Sequence, residues 1–557
     1  MKKFLRVLSF ILGLINTLAF FALRNCWSGM SGTLGYKDGK SEILLWIPVG
    51  LCVLFLLVFL SEIILLKFSK GQKFQIVYTI VELVFSAVIA IVIIFGGQKY
   101  VRFALPHFME YLAISLGVLF VYWLLCVYPS KNISKNGLFK GFVVVLLILV
   151  TMGVFTKFRI NRLIYEPVVY AVDDEYQIVF SSSAKSLGSV FINGKEYYDL
   201  YNGSEKSSEL VHKVCVPMEV LDGAGEYTVN LTQVIYRGPF GGILGKDIQK
   251  TYKFRPVNTS DGFKYLSFSD IHANRKGAVK TASTVSDVDL LVIGGDSLSM
   301  VEWFWDANFV NRVCFEITKG EYPVIYARGN HEVKGAYAEE LYKYVGSQNG
   351  NFYYPVHLKD VYALVLDIGE DHDDDWWEYY TTAHFDEFRK DQLSFINEEK
   401  EAGYYESSKY NMVIAHVPIV FVNSRHNHEY IKSALTEVLN TMNVDMNLCA
   451  HQHELLIFDP GKVAPGEPLT YNPLYKNGTY KGYLTDFNFP SLMISKPGFL
   501  QSESDENEDS HIGLVIEADL EGKTQNCYYI NANGEKVSVV NPFADINYGT
   551  ELQFPIH

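Results

Sequence analysis

The chain has 557 residues, too many for one compact domain, and 62 acidic against 48 basic residues leave a formal net charge of −14. That balance excludes nucleic acid as a bulk electrostatic partner. The seven cysteines, at 26, 52, 126, 215, 314, 449 and 527, include no close pair of the kind a thiolate metal site or redox motif needs, and disulfides are neither demanded nor excluded.

Apolar runs at 7–23, 43–60, 76–95, 111–127 and 142–155 follow one another with charges mostly between them. Most approach the ~20 residues that a spanning helix requires, and Lys140 can snorkel to help the shorter last one. A soluble core does not fit five such runs with so little polar face. A cleaved signal peptide fits only the first, and no small-residue cleavage site lies near Ala22. The expectation is a membrane domain of five transmembrane helices over 1–160. Positive charge is nearly balanced between the two sides, but the Lys-dense loops 67–73 and 130–140 favour an inside N-terminus. The large C-terminal part then lies outside the cytoplasmic membrane of a multi-pass protein. Glu62 is expected at an interface and Glu82 against a neighbouring helix. The Lys-, Asn-, Ile- and Tyr-rich composition with such an anchor suggests a bacterial membrane protein, with the lipid bilayer as a partner.

From 161 to 257 the pattern is all-β. The stretches 176–180, 189–192, 226–231 and 250–254 alternate or run apolar, and Asn193-Gly194 is a type I′ hairpin signal. The spacing suggests a small sandwich of immunoglobulin or fibronectin type. It serves either as a module binding substrate or wall polymer, or as a rigid spacer.

The segment 258–540 carries the chemistry. A strand-like run at 263–269 delivers Asp270-Ile271-His272, and 289–293 delivers Gly294-Gly295-Asp296. The run 322–327 ends in Arg328-Gly329-Asn330-His331-Glu332. Downstream, 412–415 delivers His416, and 446–450 delivers His451-Gln452-His453. Every polar group follows an apolar run, so a parallel-type sheet brings them to one edge, where open α/β sheets place their ligands. Two carboxylates, one amide and four imidazoles form a nitrogen/oxygen donor set for two borderline metal ions.

In this order the blocks resemble the signature of the calcineurin-like metallophosphoesterases: Asp-x-His, Gly-Asp, Gly-Asn-His-Asp/Glu, a lone His, then Gly-His-x-His. One departure is Ala450 where the family usually has Gly. The resemblance implies an αββα sandwich and a phosphoric ester hydrolase. A β-sandwich also precedes the catalytic domain in some purple acid phosphatase-like relatives. By resemblance Asp270, His272, Asp296 and His453 bind one metal, and Asp296 bridges to a second held by Asn330, His416 and His451. The ions implied are divalent Mn, Zn or Fe. His331 is implied as the catalytic proton donor, with Arg328 and Glu332 supporting it. A phosphate mono- or diester, whether nucleotide, phospholipid headgroup or envelope polymer, is then attacked in line by a hydroxide between the metals. The alternative is a metal-binding scaffold or membrane sensor without turnover.

Several features compete for attention. Gly295-Asp296-Ser297-Leu298 spells a serine-esterase motif, but its companion blocks are absent. The purple acid phosphatase branch expects Tyr where Ser299 stands. In the acidic run 367–375, Glu370, Asp371 and His372 either shape the pocket, bind further metal or form a solvated loop. His426 and His428 are expected at the surface, 502–510 as a mobile loop, 513–517 and 526–530 as closing strands, and 541–557 as a tail.

Overall fold

The computed structural model describes residues 161–557 apart from 202, 239–240, 375, 377–378, 380–381, 424–427, 472–478, 495–510 and 542–545. The five apolar runs, Glu62, Glu82, His426 and the acidic stretch 502–510 lie outside the described residues. Among the described residues no helix is long and apolar enough to cross a membrane. The chain divides into two units, and the architecture below belongs to the one formed by Lys157–Asp374 and Thr382–His557.

Its frame is a pair of mixed sheets. The first has 13 strands. Its all-β start comprises β1 (Leu163–Val172), β2 (Glu175–Ile192), β3 (Ser208–Pro217), β4 (Glu226–Gly238) and β5 (Gly241–Lys253). Its centre is β6 (Phe263–Phe268), β7 (Leu290–Ile293) and β8 (Val324–Tyr326), which run parallel to one another. The second sheet has six strands. Four of them are β9 (Tyr354–Leu358), β10 (Val361–Leu366), β11 (Tyr410–Ala415) and β12 (Met446–Cys449), of which the last three are parallel. Strands β7 and β10 are buried at every position, as their unbroken apolar sequences require when both faces are covered.

One apolar core, including Leu266, Phe268 and Tyr326 of the first sheet and Ala363, Met412 and Leu448 of the second, fills the space between the sheets. Tyrosine hydroxyls tie the two layers across it. Tyr265 and Tyr410 share a hydrogen bond of 2.7 Å, and Tyr354 donates to the Tyr326 carbonyl. The rings of Tyr265, Tyr410 and Tyr354 bury their faces while each hydroxyl keeps a partner. The outer face of the second sheet holds a separate cluster, with Leu364, Val413, Ile396 and Leu435. Ile396 comes from helix α1 (Phe385–Ala402) and Leu435 from α2 (Glu429–Leu439), and these helices pack together.

Two sequence expectations change here. The strands of 161–257 do not close a sandwich of their own. Strand β1 pairs in parallel with β8 through Tyr170↔Val324, so the all-β segment extends the first sheet and shares its core. The segment 541–557, read as a C-terminal tail, contributes a strand to the first sheet. Leu552–Pro555 pairs antiparallel with β13 (Thr524–Asn531), and Phe554 and Ile556 are buried. Asn193 and Gly194 both have positive φ, 49° and 78°, between the paired residues Ile192 and Lys195, as a type I′ hairpin requires.

Candidate metal centre

The C-terminal ends of six parallel strands supply the centre. Asp270 and His272 follow β6, Asp296 follows β7, and Asn330 and His331 follow β8. Across the interface between the sheets, Asp367–His372 follows β10, His416 follows β11, and His451 and His453 follow β12. Short turns must bend each donor inward, and the backbone shows it. Asp270, His272, Asp296, His451 and His453 all have φ between 43° and 75°, the left-handed region that costs non-glycine residues about 1–3 kcal/mol each. Ala450 has no such backbone, so its Cβ carries no left-handed penalty.

Two donor clusters result. In one, His272 Nε2 lies 3.2 Å from His453 Nε2, with Asp270 Oδ1 at 3.8 and 3.6 Å from them. In the other, His416 Nε2 is 3.2 Å from Asp296 Oδ2, and His451 Nδ1 is 3.1 Å from Asn330 Oδ1. Asp296 Oδ2 also stands 3.9 Å from His272 Nε2, which places this carboxylate between the clusters. All seven donors are therefore brought together.

Burial would raise the carboxyl of Asp270, but the imidazoles of His453 and His416 outweigh it and hold the group low. Asp296 is likewise held well below the carboxylate range, chiefly by His416 and His331 against the cost of burial. Burial pushes His272 down to about 3. His416 goes the other way: burial opposes its charge, but Asp296 and Asp270 push it up to about 10.

The donor set fits divalent metal. His416 Nδ1 lies 2.7 Å from the Gly294 carbonyl, a contact that needs an N–H there. Nε2 then faces the Asp296 carboxylate at 3.2 Å, where the raised pKa has it hold a proton that a cation would replace. Asn330 Nδ2 donates to Glu370 Oε2 at 2.9 Å, which turns Oδ1 inward toward His451. Each of these two contacts needs something positive between its atoms, and a divalent cation bound there would take the place of the proton. The absence of thiolate and the mixture of imidazole, amide and carboxylate suit borderline ions such as Mn, Zn or Fe.

The remaining sequence candidates take different positions. His331 Nδ1 lies 2.8 Å from the Ser299 carbonyl, and its Nε2 is 3.8 Å from Asp296 Oδ2 on a partly exposed ring. Glu332 is fully buried and accepts from the backbone N–H groups of Asp296, Ser297 and Gly329 at 2.8, 2.6 and 3.0 Å. Burial and the neighbouring Asp296 raise its carboxyl to about 7. It ties the Asp296 turn to the Asn330 turn and is closed off from substrate. Arg328 gives Nε and a terminal nitrogen to Asp367 Oδ2, each at 2.7 Å, and lies over the Phe352 ring. Ser297 is fully buried and its hydroxyl has no hydrogen-bond partner, so no base is in place to activate it as a nucleophile. His428 is buried rather than at the surface.

Sequence reasoning left the roles of Glu370 and Asp371 open. Both are buried, and both bond to metal-ligand candidates: Glu370 to Asn330, and Asp371 Oδ2 to His451 Nε2 at 3.0 Å. The signal was present, since 361–366 is an apolar run that delivers them to the same sheet edge.

Close packing makes Gly329 indispensable. A Cβ there would sit 2.2 Å from Asp296 Oδ1 and 2.4 Å from the Asp296 nitrogen, so Gly329→Ala must displace the Asp296 carboxylate and its turn. A displacement approaching 1 Å at such a position costs on the order of 10²-fold in turnover. Metal content should fall in parallel, and normal metal content with normal turnover would contradict the geometry.

The family model for calcineurin-like phosphoesterases matches residues 263–455. Among solved structures, the chain is similar to a purple acid phosphatase from yellow lupin (Lupinus luteus) seeds, at 11% identity and a TM-score of 0.45, covering 71% of this chain and 74% of that one. It is also similar to PhoD, at 9% identity and a TM-score of 0.39 over 69% and 92% of the two chains. A dimetal phosphatase from Danio rerio matches at 10% identity and a TM-score of 0.33 over 54% and 100%. No curated protein sequence matches significantly. The segment 263–455, with its ordered donors at the strand ends, is a domain of the calcineurin-like phosphoesterase family.

Proposed function

We propose that the chain is a membrane-anchored, dinuclear metal-dependent phosphoesterase acting on phosphate mono- or diesters. One observation carries the catalytic part: seven nitrogen and oxygen donors from five strand ends converge in two clusters, with Asp296 between them. Asp270, His272 and His453 would hold one ion, Asn330, His416 and His451 the other, and Asp296 would serve both. Bound there, two divalent ions would supply Lewis-acid charge and an activated water for in-line displacement. Glu332 keeps the Asp296 and Asn330 turns in register through its three backbone hydrogen bonds. His331, oriented by the Ser299 carbonyl, turns Nε2 toward the centre and protonates the departing alkoxide. Arg328, committed to Asp367, steadies the loop after β10.

The apolar runs of 1–160 support a five-span anchor, with the catalytic domain outside the cytoplasmic membrane of a bacterial cell. Phosphate esters of that compartment, such as nucleotides, phospholipid headgroups or envelope polymers, are the substrate classes to screen. The full-length protein should partition with membranes, bind two equivalents of metal at saturating Mn²⁺ and hydrolyse phosphate esters. Failure to bind metal under those conditions would favour a scaffold or sensor, and a full-length chain recovered as soluble protein would refute the anchor.

A further inference from the structure

The loop after β10 places two adjacent buried carboxylates behind the candidate ligands of the second metal. Glu370 Oε2 accepts from Asn330 Nδ2 at 2.9 Å, and Asp371 Oδ2 is 3.0 Å from His451 Nε2. The two nitrogens of an imidazole point in diverging directions. Asp371 therefore sits behind the ring, while Nδ1 faces Asn330 Oδ1 at 3.1 Å. We infer that Glu370 and Asp371 are positioning residues for the second metal. Glu370 sets which end of the Asn330 amide faces the ion. Asp371 holds the proton of His451 on Nε2 and so leaves Nδ1 free to bind.

Glu370, Asp371 and His372 also lie close enough together to suggest a third metal site. Their oxygens argue otherwise, because three of the four carboxylate oxygens are already engaged. Glu370 Oε2 takes Lys334 Nζ at 3.2 Å as well as Asn330, Glu370 Oε1 accepts from the Asp371 nitrogen at 2.9 Å, and Asp371 Oδ2 takes His451. A metal would have to displace the contacts that orient its neighbour's ligands.

The loop is built to hold these carboxylates still. Gly369 has φ 72°, and Arg389, fully buried on α1, donates to the carbonyls of Ile368, Glu370 and His372. Gln392, one turn further along α1, accepts from the Asp367 nitrogen at 2.7 Å and donates to its carbonyl. A loop sewn to a helix in this way can fix a ligand's orientation, whereas a solvated acidic loop cannot. A carboxylate behind a ligating imidazole fixes its tautomer and raises its basicity, and removing such partners typically costs about 10–100-fold in metal affinity.

This inference rests on the dinuclear reading above, and stepwise Mn²⁺ titration of the metal-free, full-length protein separates the two. Two sites in the wild type are the precondition; none would refute the dinuclear reading itself. Asp371→Ala should weaken one of the two affinities by about 10–100-fold and leave the other within about twofold. The affected site should be the one that Asn330→Ala abolishes, not the one that His453→Ala weakens. Asp371→Asn, which keeps an acceptor for Nε2–H, should recover most of the loss, and a general folding defect would not produce that rescue. Glu370→Ala should weaken the same site. The inference is overturned if Asp371→Ala leaves both affinities unchanged or weakens both equally. It is also overturned if Asp371→Asn removes one equivalent outright, because Asp371 would then be a ligand.

Discussion

Asp296→Asn is expected to strip both metals from the protein and to reduce phosphoesterase turnover by on the order of 10³-fold or more. The carboxylate stands between the two clusters, with Oδ2 3.2 Å from His416 Nε2 and 3.9 Å from His272 Nε2. Its other oxygen accepts from the His331 backbone nitrogen at 2.9 Å and so also fixes the turn that carries Asn330. Asparagine keeps the size and loses the charge. Whichever way the amide is turned, either an NH₂ faces the imidazole lone pairs or the turn loses its acceptor. Several kcal/mol of charge stabilisation at the reacting centre disappear together with the ions that supply it. His453→Ala touches only one cluster and should mainly weaken one site. Elemental analysis and turnover measured on the same preparations decide the matter: wild-type metal content in Asp296→Asn would remove the bridging role, and with it the dinuclear centre.

Why the donors were legible in the sequence, and other features were not, follows from what strand patterns encode. An apolar run ending in a polar residue specifies where a parallel strand's C-terminal end lies, and parallel strands put those ends on one edge. Asp270, Asp296, Asn330, His416 and His451 could be found that way because each follows such a run within a few residues. Partnership between sheets is not written locally. The alternation in 161–257 announces half-buried strands but not their neighbours, and the pairings that join β1 and its following turn to the two sheets, Tyr170↔Val324 and Asp173↔Val356, link residues far apart in sequence. The same holds for Leu552–Pro555, whose four residues read as a tail until Thr524–Asn531 offers an edge. Glu370 and Asp371 were visible as charges, and charge runs are usually solvated. The buried Arg389 and Gln392, contributed by a helix further along the chain, turn that loop inward. The left-handed backbone at Asp270, Asp296 and the two histidines after β12 has no sequence signature beyond the tolerance of Asp and His for that region. It is sustained because the packed sheets on either side over-determine the turns.

Replacing His331 probes the chemistry itself rather than the metal. His331→Asn is expected to keep both metals, because its Nδ1 is occupied with the Ser299 carbonyl and its Nε2 stands 3.8 Å from Asp296, farther than the 3.2 Å between Asp296 and His416. The ring is partly exposed where the seven candidate ligands are mostly buried, as a group that must meet the substrate's leaving oxygen has to be. A proton donor matters in proportion to how poor the leaving group is. Alkyl phosphate esters, whose alkoxide cannot depart without a proton, should lose on the order of 10²-fold or more in turnover. A nitrophenyl ester, whose phenolate departs unaided, should lose far less. A histidine that merely braced the loop through Ser299 would give a uniform loss across leaving groups or a fall in metal content, since the same turn carries Asn330. Turnover across an ester series, with metal analysis of each preparation, separates these outcomes. Equal losses for alkyl and nitrophenyl esters would end the assignment of His331 as the acid.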